Sequence, residues 1–416
     1  MMRKEKREEI DKKISFSLEN IGKDAFLYIN YPFCLNHCCF CIYKIYRYNK
    51  KESDLFLKYY NKEVSLYKEV FKRINFKFKN IHIGGGTPNL VPVKSLINPL
   101  KNLVDFKKVN HFIIELFPGR NFKKYLDSLK KYPGVKVQLG VQTLNEKILK
   151  RENRLVSKYH ILDCIKTLSR SNLIWSIDLI YGFEDEDKFK RDYLSEIELI
   201  LKYNPLGFHL YSIRSEKFNK YYGRNKEHLI KKINEKDRFK VDISDVIDVL
   251  KKNGYKKIGD EWCLDRNINY ARKTICYDRD AEMIKPIILG IGPGAVNYHR
   301  FLYYKNTRKP DKYRKLLDQN HFPVDDFVDL GKKGLYPIVC FLKRFRISSK
   351  FDFKGISLSI FLSEKEKNRV ADFIKYLKKN GFKNNFKEKE FKMVKNTDYG
   401  KCLYLGEKYL QSHNEK

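Results

Sequence analysis

The chain has 416 residues, of which 42% are hydrophobic, and carries a formal net charge of +35. This hydrophobic fraction predicts a folded protein, and the length allows one large domain with a smaller one. No apolar run approaches the ~20 residues that span a bilayer, and the N-terminus is too mixed in charge for a signal peptide. We therefore expect a cytoplasmic protein. Lys and Arg are spread along the whole chain, so the charge does not indicate a nucleic-acid partner.

Strand-like runs alternate with helical patterns through the first 250 or so residues. The predicted strands are Phe26–Tyr31, Asn80–Ile83, Phe112–Phe117, Lys136–Val141, Ile174–Tyr181 and Gly207–Ile213. The predicted helices are Asp54–Arg73, Lys158–Ser169, Lys188–Tyr203 and Asp242–Lys252. Strands that alternate with helices in this way favour parallel βαβ units. The sequence therefore predicts an α/β fold, a partial (β/α)6 barrel of the TIM type with parallel strands.

The last third of the chain differs from this pattern. Ser363-Glu-Lys-Glu366 is a capping box that predicts a helix to about Lys379, ended by Asn380-Gly381. We predict an N-terminal extension over residues 1–24 and the barrel domain over residues 25–300. Residues 301–416 are predicted to form a small α-rich accessory domain of winged-helix-like character.

Polar and glycine residues gather towards the carboxyl ends of the predicted strands. Gly84-Gly-Gly-Thr-Pro88 follows the second strand and Gln142 follows the fourth, while Glu115 and Asp178 lie within the third and fifth. In parallel α/β folds the strands' carboxyl ends meet at one edge, where active sites form. The sequence therefore predicts a functional site at this edge.

Three cysteines, Cys34-x-x-x-Cys38-x-x-Cys41, follow the first predicted strand. Three thiolates on one loop can hold three irons of a [4Fe–4S] cluster and leave the fourth iron without a protein ligand. Structural zinc is the alternative, with His37 as a further ligand, although no second Cys/His knuckle follows. Cys39 could also replace Cys38, but we expect Cys38 to be the ligand.

An iron without a protein ligand can bind the amino and carboxylate groups of S-adenosylmethionine (SAM). Electron transfer into the sulfonium then cleaves a C–S bond and releases a 5′-deoxyadenosyl radical, chemistry that belongs to the cofactor. The run Gly84–Gly86 would help to bind SAM, because glycines let the main chain approach a ligand closely.

From about Tyr28 to Val296 the chain resembles the radical SAM enzymes of the oxygen-independent coproporphyrinogen III oxidase-like family. The resemblance rests on five motifs in family order. They are Tyr28-x-x-x-Pro-Phe-Cys-x3-Cys-x-Phe-Cys41, Gly84-Gly-Gly-Thr-Pro88, Gly140-Val-Gln-Thr-Leu-Asn145, Asp178-Leu-Ile-Tyr-Gly182 and Gly290-Ile-Gly-Pro-Gly-Ala295. The last motif also matches a dinucleotide fingerprint, with Asp311 about 20 residues on. We interpret it as a cavity wall, because no βαβ unit follows.

The resemblance implies roles for individual residues. Cys34, Cys38 and Cys41 are implied to ligate a [4Fe–4S] cluster, and Tyr28, Glu115 and Asp178 to take part in catalysis. The implied SAM-binding residues are Tyr28, Gly85, Gly86, Thr87, Glu115, Gln142, Arg154 and Asp178. A second SAM, as coproporphyrinogen oxidases hold, would lie near Phe40, Ser212 and Val296. The implied partners are a small-molecule substrate such as a porphyrinogen and a low-potential electron donor such as flavodoxin or ferredoxin.

The sequence departs from the family pattern in three places. Asn30 stands where a histidine is common, Tyr43 where the true oxidases have a further cysteine, and Arg266–Ala271 lacks the His and Trp of haem-chaperone relatives. Several activities therefore stay open. They are porphyrinogen propionate decarboxylation, radical methylation or cyclopropanation with two SAM molecules, and non-catalytic haem binding through His209 or His299.

Overall fold

The computed structural model describes residues 4–21, 25–41, 45–119, 121–183, 186–212, 243–258, 261–264, 287–299, 302–329, 364–380, 386–387 and 392–393. The chain divides into two compact units. The first comprises Met1–Tyr28, Lys62–Phe78 and Ile275–Lys416, and the second comprises Ile29–Asn61 and Lys79–Thr274. The predicted boundaries near residues 24 and 300 stay a prediction.

The second unit contains a mostly parallel sheet. Its strands are β1 (Phe26–Tyr31, which begins in the first unit), β4 (Asn80–Gly85), β5 (His111–Leu116), β6 (Val135–Gln142), β7 (Ile174–Tyr181), β8 (Gly207–Ser212), β9 (Tyr255–Ile258) and β10 (Glu261–Leu264). They lie in the order β1-β4-β5-β6-β7-β8-β10-β9. Neighbours from β4 to β8 are parallel, whereas β10 is antiparallel to both β8 and β9. The predicted α/β fold with an open, partial barrel is therefore confirmed, and so are its six strands.

Helices connect the parallel strands, and two short strands form a separate parallel pair. The helices are α2 (Lys50–Arg73), α3 (Val93–Ile97), α4 (Phe122–Leu129), α5 (Glu146–Arg151), α6 (Lys158–Ser169), α7 (Tyr193–Leu201) and α8 (Ser244–Lys252). The separate pair is β2 (Phe33–Cys34) with β3 (Tyr46–Arg47).

Local capping explains where three helices begin. The predicted α6 is confirmed, because Ser157 caps it by accepting a hydrogen bond from His160 N. Helix α2 begins before the predicted Asp54, since Asn49 Oδ1 accepts from Glu52 N at 3.2 Å. Helix α7 begins at Tyr193 rather than at the predicted Lys188. Lys190 has a left-handed φ of 48° and Asp192 caps the helix through Ser195 N, so the prediction was wrong there.

The two faces of this sheet differ in chemistry. Alternate residues of β4 to β8 are buried and apolar and form the core under the helices; they include Ile81, Ile83, Phe112, Ile114, Val137, Leu139, Ile177, Leu179 and Phe208. The residues between them include the polar side chains of what we call the polar face: His82, Glu115, Lys136, Gln138, Asp178, His209 and, on β10, Glu261. The inside of a TIM-type barrel is normally packed with branched apolar side chains. A polar inner face therefore indicates a functional site.

The first unit has its own sheet and helices. Its strands β11 (Ile288–Ile291), β12 (Val296–Tyr298), β13 (Leu302–Asn306) and β14 (Val324–Asp329) are antiparallel neighbours in that order. Its helices are α1 (Lys4–Glu19), α9 (Pro310–Asp318) and α10 (Glu364–Lys379), and the short strands β15 (Phe386–Lys387) and β16 (Lys392–Met393) form an antiparallel pair. The predicted C-terminal helix is confirmed as α10, whereas its capping residue Ser363 lies outside the described residues. A dinucleotide fold at Gly290 is excluded, because the glycine loop joins β11 to an antiparallel strand.

No helix in the described part of the chain is long and apolar enough to cross a membrane.

Candidate functional site

The cysteine loop is fastened to the segment that follows α5. Asn153 donates its side-chain amide to His37 O at 3.0 Å, and its own carbonyl accepts from Asn36 Nδ2 at 2.6 Å. The backbone of Cys39 donates to Glu152 O at 2.9 Å. These contacts fix the loop to the residues that directly follow α5.

Cys34 and Cys38 each have a hydrogen-bond donor beside the sulfur. Thr87 donates its hydroxyl to Cys34 Sγ at 3.3 Å, and Arg154 Nη1 lies 3.7 Å from Cys38 Sγ. Burial raises the pKa of the Cys34 thiol to about 11; the Thr87 hydrogen bond lowers it, and the nearby Cys41 and Cys38 raise it. The three thiols therefore lie close enough to affect one another.

Cys39 faces a different part of the protein. Its sulfur lies 3.8 Å from Arg151 O, and burial and the nearby Glu152 raise the pKa of its thiol. It thus points towards the α5 backbone, whereas Cys38 points towards Arg154. This geometry favours Cys38 over Cys39 as a ligand.

The donor set fits an iron–sulfur cluster. Three cysteine sulfurs on one short loop match the ligands of such a cluster, and an O–H and an N–H donor beside two of them stabilise thiolates. Among the described residues, no three His, Cys, Asp or Glu side chains are placed to hold a single metal ion. A cubane cluster presents a different iron to each cysteine, so its ligands do not need to meet at one point.

The glycine run packs against the segment that carries the cysteines. Gly86 N donates to Tyr31 O at 2.6 Å and Thr87 N to Phe33 O at 2.8 Å. A Cβ on Gly86 would lie 2.4 Å from Phe33 O, and one on Gly84 would lie 2.7 Å from the Glu115 carboxyl group. The glycines therefore have a structural role, because they let the β4 loop approach the cysteine segment and Glu115.

Both carboxylates predicted from the sequence lie on the polar face, each beside a histidine of a neighbouring strand. Glu115 Oε1 is 2.8 Å from His82 Nε2, and Asp178 Oδ1 is 3.1 Å from His209 Nδ1. Gln138 Nε2 also donates to both Asp178 oxygens, at 2.9 and 3.0 Å. The two carboxylates are therefore held in defined orientations.

Gln142 occupies an unusual backbone conformation at the end of β6. Its φ is 71°, in the left-handed region, and the β6–β7 register shifts between Gly140 and Gln142. Non-glycine residues in this region are uncommon and often occur at functional sites. The bulge turns the Gln142 side chain back over Gly140, where a Cβ would lie 2.9 Å from Gln142 Nε2.

Arg154 connects the cysteine loop with β6. It donates to Gly140 O, its guanidinium lies 4.7 Å from the centre of the Phe117 ring, and its buried Nε has no partner among the described residues. An unpaired buried donor beside the cysteines is what a ligand at this place would satisfy. The predicted binding residues Arg154 and Gln142 are thus brought together.

Phe40 packs between Arg154, whose guanidinium lies 6.0 Å from the centre of its ring, and Phe183. Its ring meets Phe183 edge-on at 5.9 Å, in a small apolar cluster with Ile148 and Ile180. The guanidinium of Arg191 lies 5.4 Å from the centre of the Phe183 ring on the loop after β7. Phe40 therefore links the cysteine loop to this loop.

The remaining predicted site residues are Ser212, Tyr28 and Val296. Ser212 is the last residue of β8 and pairs with Tyr181. Tyr28 is half-buried in β1, and Val296 begins β12; both count with the first unit, and their place at the site stays a prediction. Tyr43 and Arg266–Ala271 lie outside the described residues.

Comparison with known proteins shows what this chain is similar to. The Radical SAM superfamily model matches residues 28–196. The fold follows that of HemN, the coproporphyrinogen III oxidase of Escherichia coli, with a TM-score of 0.67, 17% identity and coverage of 96% of this chain and 94% of that one. These findings support the resemblance to the coproporphyrinogen III oxidase-like radical SAM family that the sequence motifs indicate.

Several curated relatives carry the name haem chaperone HemW. The chain is 26% identical to the HemW of Lactococcus lactis over 345 residues, 77% of this chain and 85% of that protein. It is 28% identical to the HemW of Buchnera aphidicola over 244 residues, 56% of this chain and 60% of that protein. The chain therefore spans less than two thirds of the Buchnera relative.

Several residues of the candidate site were not predicted from the sequence. His82, Lys136, Gln138 and Glu261 were not singled out, and His209 was considered only as a haem ligand. The signal was present: Lys136-Val-Gln-Leu-Gly140 alternates polar and apolar residues in a strand flanked by others. The prediction considered only residues near the carboxyl ends of the strands. The residues that it left out lie one or two rows of the sheet away from those ends.

Proposed function

We propose that this protein binds a [4Fe–4S] cluster through Cys34, Cys38 and Cys41 and uses it to cleave SAM reductively. One observation carries the proposal. Thr87 and Arg154, both expected SAM contacts, are hydrogen-bonded to the sulfurs of Cys34 and Cys38. Residues predicted to bind the two cofactors therefore share one network, as they must where SAM reacts at the cluster.

A cluster held by Cys34, Cys38 and Cys41 would supply one-electron reduction of SAM, with the electron from a low-potential donor, and the products would be methionine and a 5′-deoxyadenosyl radical. The chain's own residues bind and orient. The Glu115 carboxylate, held by His82, and the Asp178 carboxylate, held by Gln138, can accept hydrogen bonds from SAM hydroxyl or amino groups. The Arg154 Nε is free to donate to an anionic group.

We propose oxidative decarboxylation of a porphyrinogen propionate as the reaction, by likeness to the fold of HemN. The alternative within the same class is radical methylation or cyclopropanation with a second SAM near Phe40 and Ser212. Anaerobic turnover with coproporphyrinogen III separates them. Decarboxylation releases carbon dioxide, whereas methylation yields S-adenosylhomocysteine and a heavier product.

Haem binding without catalysis is a second candidate, favoured by relatives named haem chaperone HemW. Of the two histidines considered, His209 lies between carboxylates, 3.1 Å from Asp178 and 3.7 Å from Glu261. His299 is 1% exposed, and neither ring nitrogen has a partner among the described residues. Burial lowers its pKa to about 3, so the imidazole is neutral, as a haem ligand must be. His299 is therefore the better candidate.

One experiment tests both functions. The protein is reconstituted anaerobically with iron and sulfide, reduced with dithionite and supplied with SAM, and 5′-deoxyadenosine is measured by mass spectrometry. We expect 5′-deoxyadenosine from the native protein and none from Cys38→Ala. If the native protein carries a cluster but forms neither 5′-deoxyadenosine nor S-adenosylhomocysteine, the catalytic proposal is wrong. A haem spectrum that His299→Ala abolishes and His209→Ala preserves would then support haem binding.

A further inference from the structure

Four charged side chains form a continuous buried line across the polar face. Lys136 Nζ lies 2.6 Å from each Glu261 carboxylate oxygen. His209 follows, with Nε2 3.7 Å from Glu261 Oε2 and Nδ1 3.1 Å from Asp178 Oδ1. The side chains of Lys136 and Glu261 are each only 2% exposed. The line thus runs from a buried ion pair to a carboxylate of the proposed SAM site.

The strand register explains how this line forms. Asp178, His209 and Glu261 are direct neighbours on β7, β8 and β10, so their side chains share one row of the polar face. Lys136 reaches Glu261 from another row, across the position of Gly207. A Cβ on Gly207 would lie 2.4 Å from Glu261 Oε1, so the glycine leaves the space that Glu261 fills.

Charge balance determines the state of His209. A buried charge without a partner is costly, and Lys136 and Glu261 already neutralise each other. Asp178 then has the neutral Gln138 amide and His209 beside it. A protonated His209 balances the whole line, whereas a neutral one leaves a net negative charge in the interior.

The titratable groups that face His209 favour its protonated form. They are Asp178 on β7, Glu261 on β10 and Tyr211 on its own strand, with Lys136 and Cys263 beyond Glu261. Burial would lower the pKa of His209, but the charges of Glu261 and Asp178 outweigh this and raise the pKa above its usual 6.5.

We propose that His209 is a positioning residue whose ion pair holds the Asp178 carboxylate in one orientation for SAM, and that the Lys136–Glu261 pair keeps His209 protonated. This inference rests on the proposed function, because Asp178 meets SAM only there. Gln138 occupies a lone pair on each Asp178 oxygen, whereas His209 Nδ1 lies 3.1 Å from Oδ1 as an ion pair and has no hydrogen-bond partner among the described residues. A carboxylate has about four lone-pair positions, so room for donors of SAM is left.

Binding of SAM to the cluster-loaded protein, measured by anaerobic equilibrium dialysis, tests the inference. We expect His209→Gln to raise the Kd for SAM about tenfold near neutral pH, the size of a lost charge-assisted contact. In the native protein the affinity should fall as the pH rises through the pKa of His209, and in His209→Gln it should not change over this range. His160→Gln is the matched control, since His160 is an exposed residue of α6.

A second measurement uses the protein without its cofactors. The ring proton of His209, identified by its loss in His209→Gln, is titrated by NMR. We expect a midpoint above 6.5 in the native protein and a lower one in the double variant Lys136→Met/Glu261→Gln. The double variant removes both charges of the pair, so neither is left buried alone. A native midpoint below 6.5 overturns the proposal.

The outcomes separate this inference from the proposed function. If the native protein binds SAM but His209→Gln binds it with the same Kd and pH profile, the positioning role is wrong and the proposed function stands. If the cluster-loaded native protein binds no SAM, the proposed function is wrong, and the positioning role falls with it.

Discussion

Gly85 lies directly against the side chain of Asn30: a Cβ on Gly85 would be 2.2 Å from Asn30 Oδ1. Gly85 also has a φ of 102°, a conformation that side chains rarely adopt. Asn30 stands two residues before Pro32 and four before Cys34. The asparagine and the glycine loop after β4 therefore fit each other, and this contact fixes the loop beside the cysteines.

Gly85→Ala should destabilise the protein by about 3 kcal/mol, the sum of a strained backbone and an overpacked contact. Urea unfolding followed by circular dichroism measures the change. Gly134→Ala is the matched control: its φ is 70°, but a Cβ there would meet nothing within 4 Å. The free energy of unfolding of that variant should fall by only about 1 kcal/mol. Equal losses in the two variants would show that the Asn30 contact does not matter.

Arg154→Met should weaken retention of the cluster. Arg154 supplies the donor beside Cys38 Sγ and also holds Gly140 O, and a hydrogen bond to a charged group contributes about 1.5–3 kcal/mol. We expect the reconstituted variant to lose iron to a chelator about tenfold faster, as followed by the visible absorbance. Arg170→Met, which changes an exposed arginine after α6, should lose iron at the native rate. Native retention in Arg154→Met would contradict the role given to Arg154.

Cys38→Ala and Cys39→Ala form a matched pair within one loop. Cys38 lies beside Arg154, whereas the Cys39 sulfur faces Arg151 O at 3.8 Å. Removing Cys38 should abolish the cluster, because only two loop ligands would be left. Removing Cys39 should leave the iron and sulfide content of the reconstituted protein unchanged. The opposite pattern would assign the third ligand to Cys39.

The parallel sheet was predictable because its strands are short, apolar and separated by helical patterns. The register then follows from the folded chain and brings Glu115 beside Gln138, and Asp178 beside His209. The sequence identified Glu115 and Asp178, since a carboxylate within an apolar strand is costly unless it has a partner. It could not name those partners, because pairing across strands depends on a register that sequence spacing does not determine.

The charged line could not be predicted for the same reason. Lys136 and Glu261 are 125 residues apart in the chain and meet because β10 folds back antiparallel to β8.

The start of α7 at Tyr193, later than predicted, has a different cause. Arg191 turns inward, with a side chain only 1% exposed, and pairs with Glu196 at 2.9 Å. A helical pattern through Lys188 takes no account of such a tertiary contact.

Glu63 provides a pH-dependent test of the first unit. It is fully buried on α2 and accepts hydrogen bonds from Tyr313 at 2.5 Å, Gly292 N at 2.8 Å and Asn306 at 2.6 Å. Burial raises its pKa from 4.5 to about 7, although these hydrogen bonds oppose the change. The folded protein therefore holds a proton at Glu63 over a range in which the unfolded chain has released it.

The stabilisation that Glu63 provides is thus complete below pH 4.5 and is lost as the pH rises through about 7. The change corresponds to about 3 kcal/mol in the free energy of unfolding. Glu63→Gln cannot ionise, so the difference in stability between the native protein and this variant should fall by that amount between these pH values. Urea unfolding at several pH values measures it, with Glu69→Gln, an exposed change on the same helix, as the control. A difference that stays constant with pH would mean that Glu63 ionises normally in the folded protein and that its hydrogen bonds offset the cost of burial.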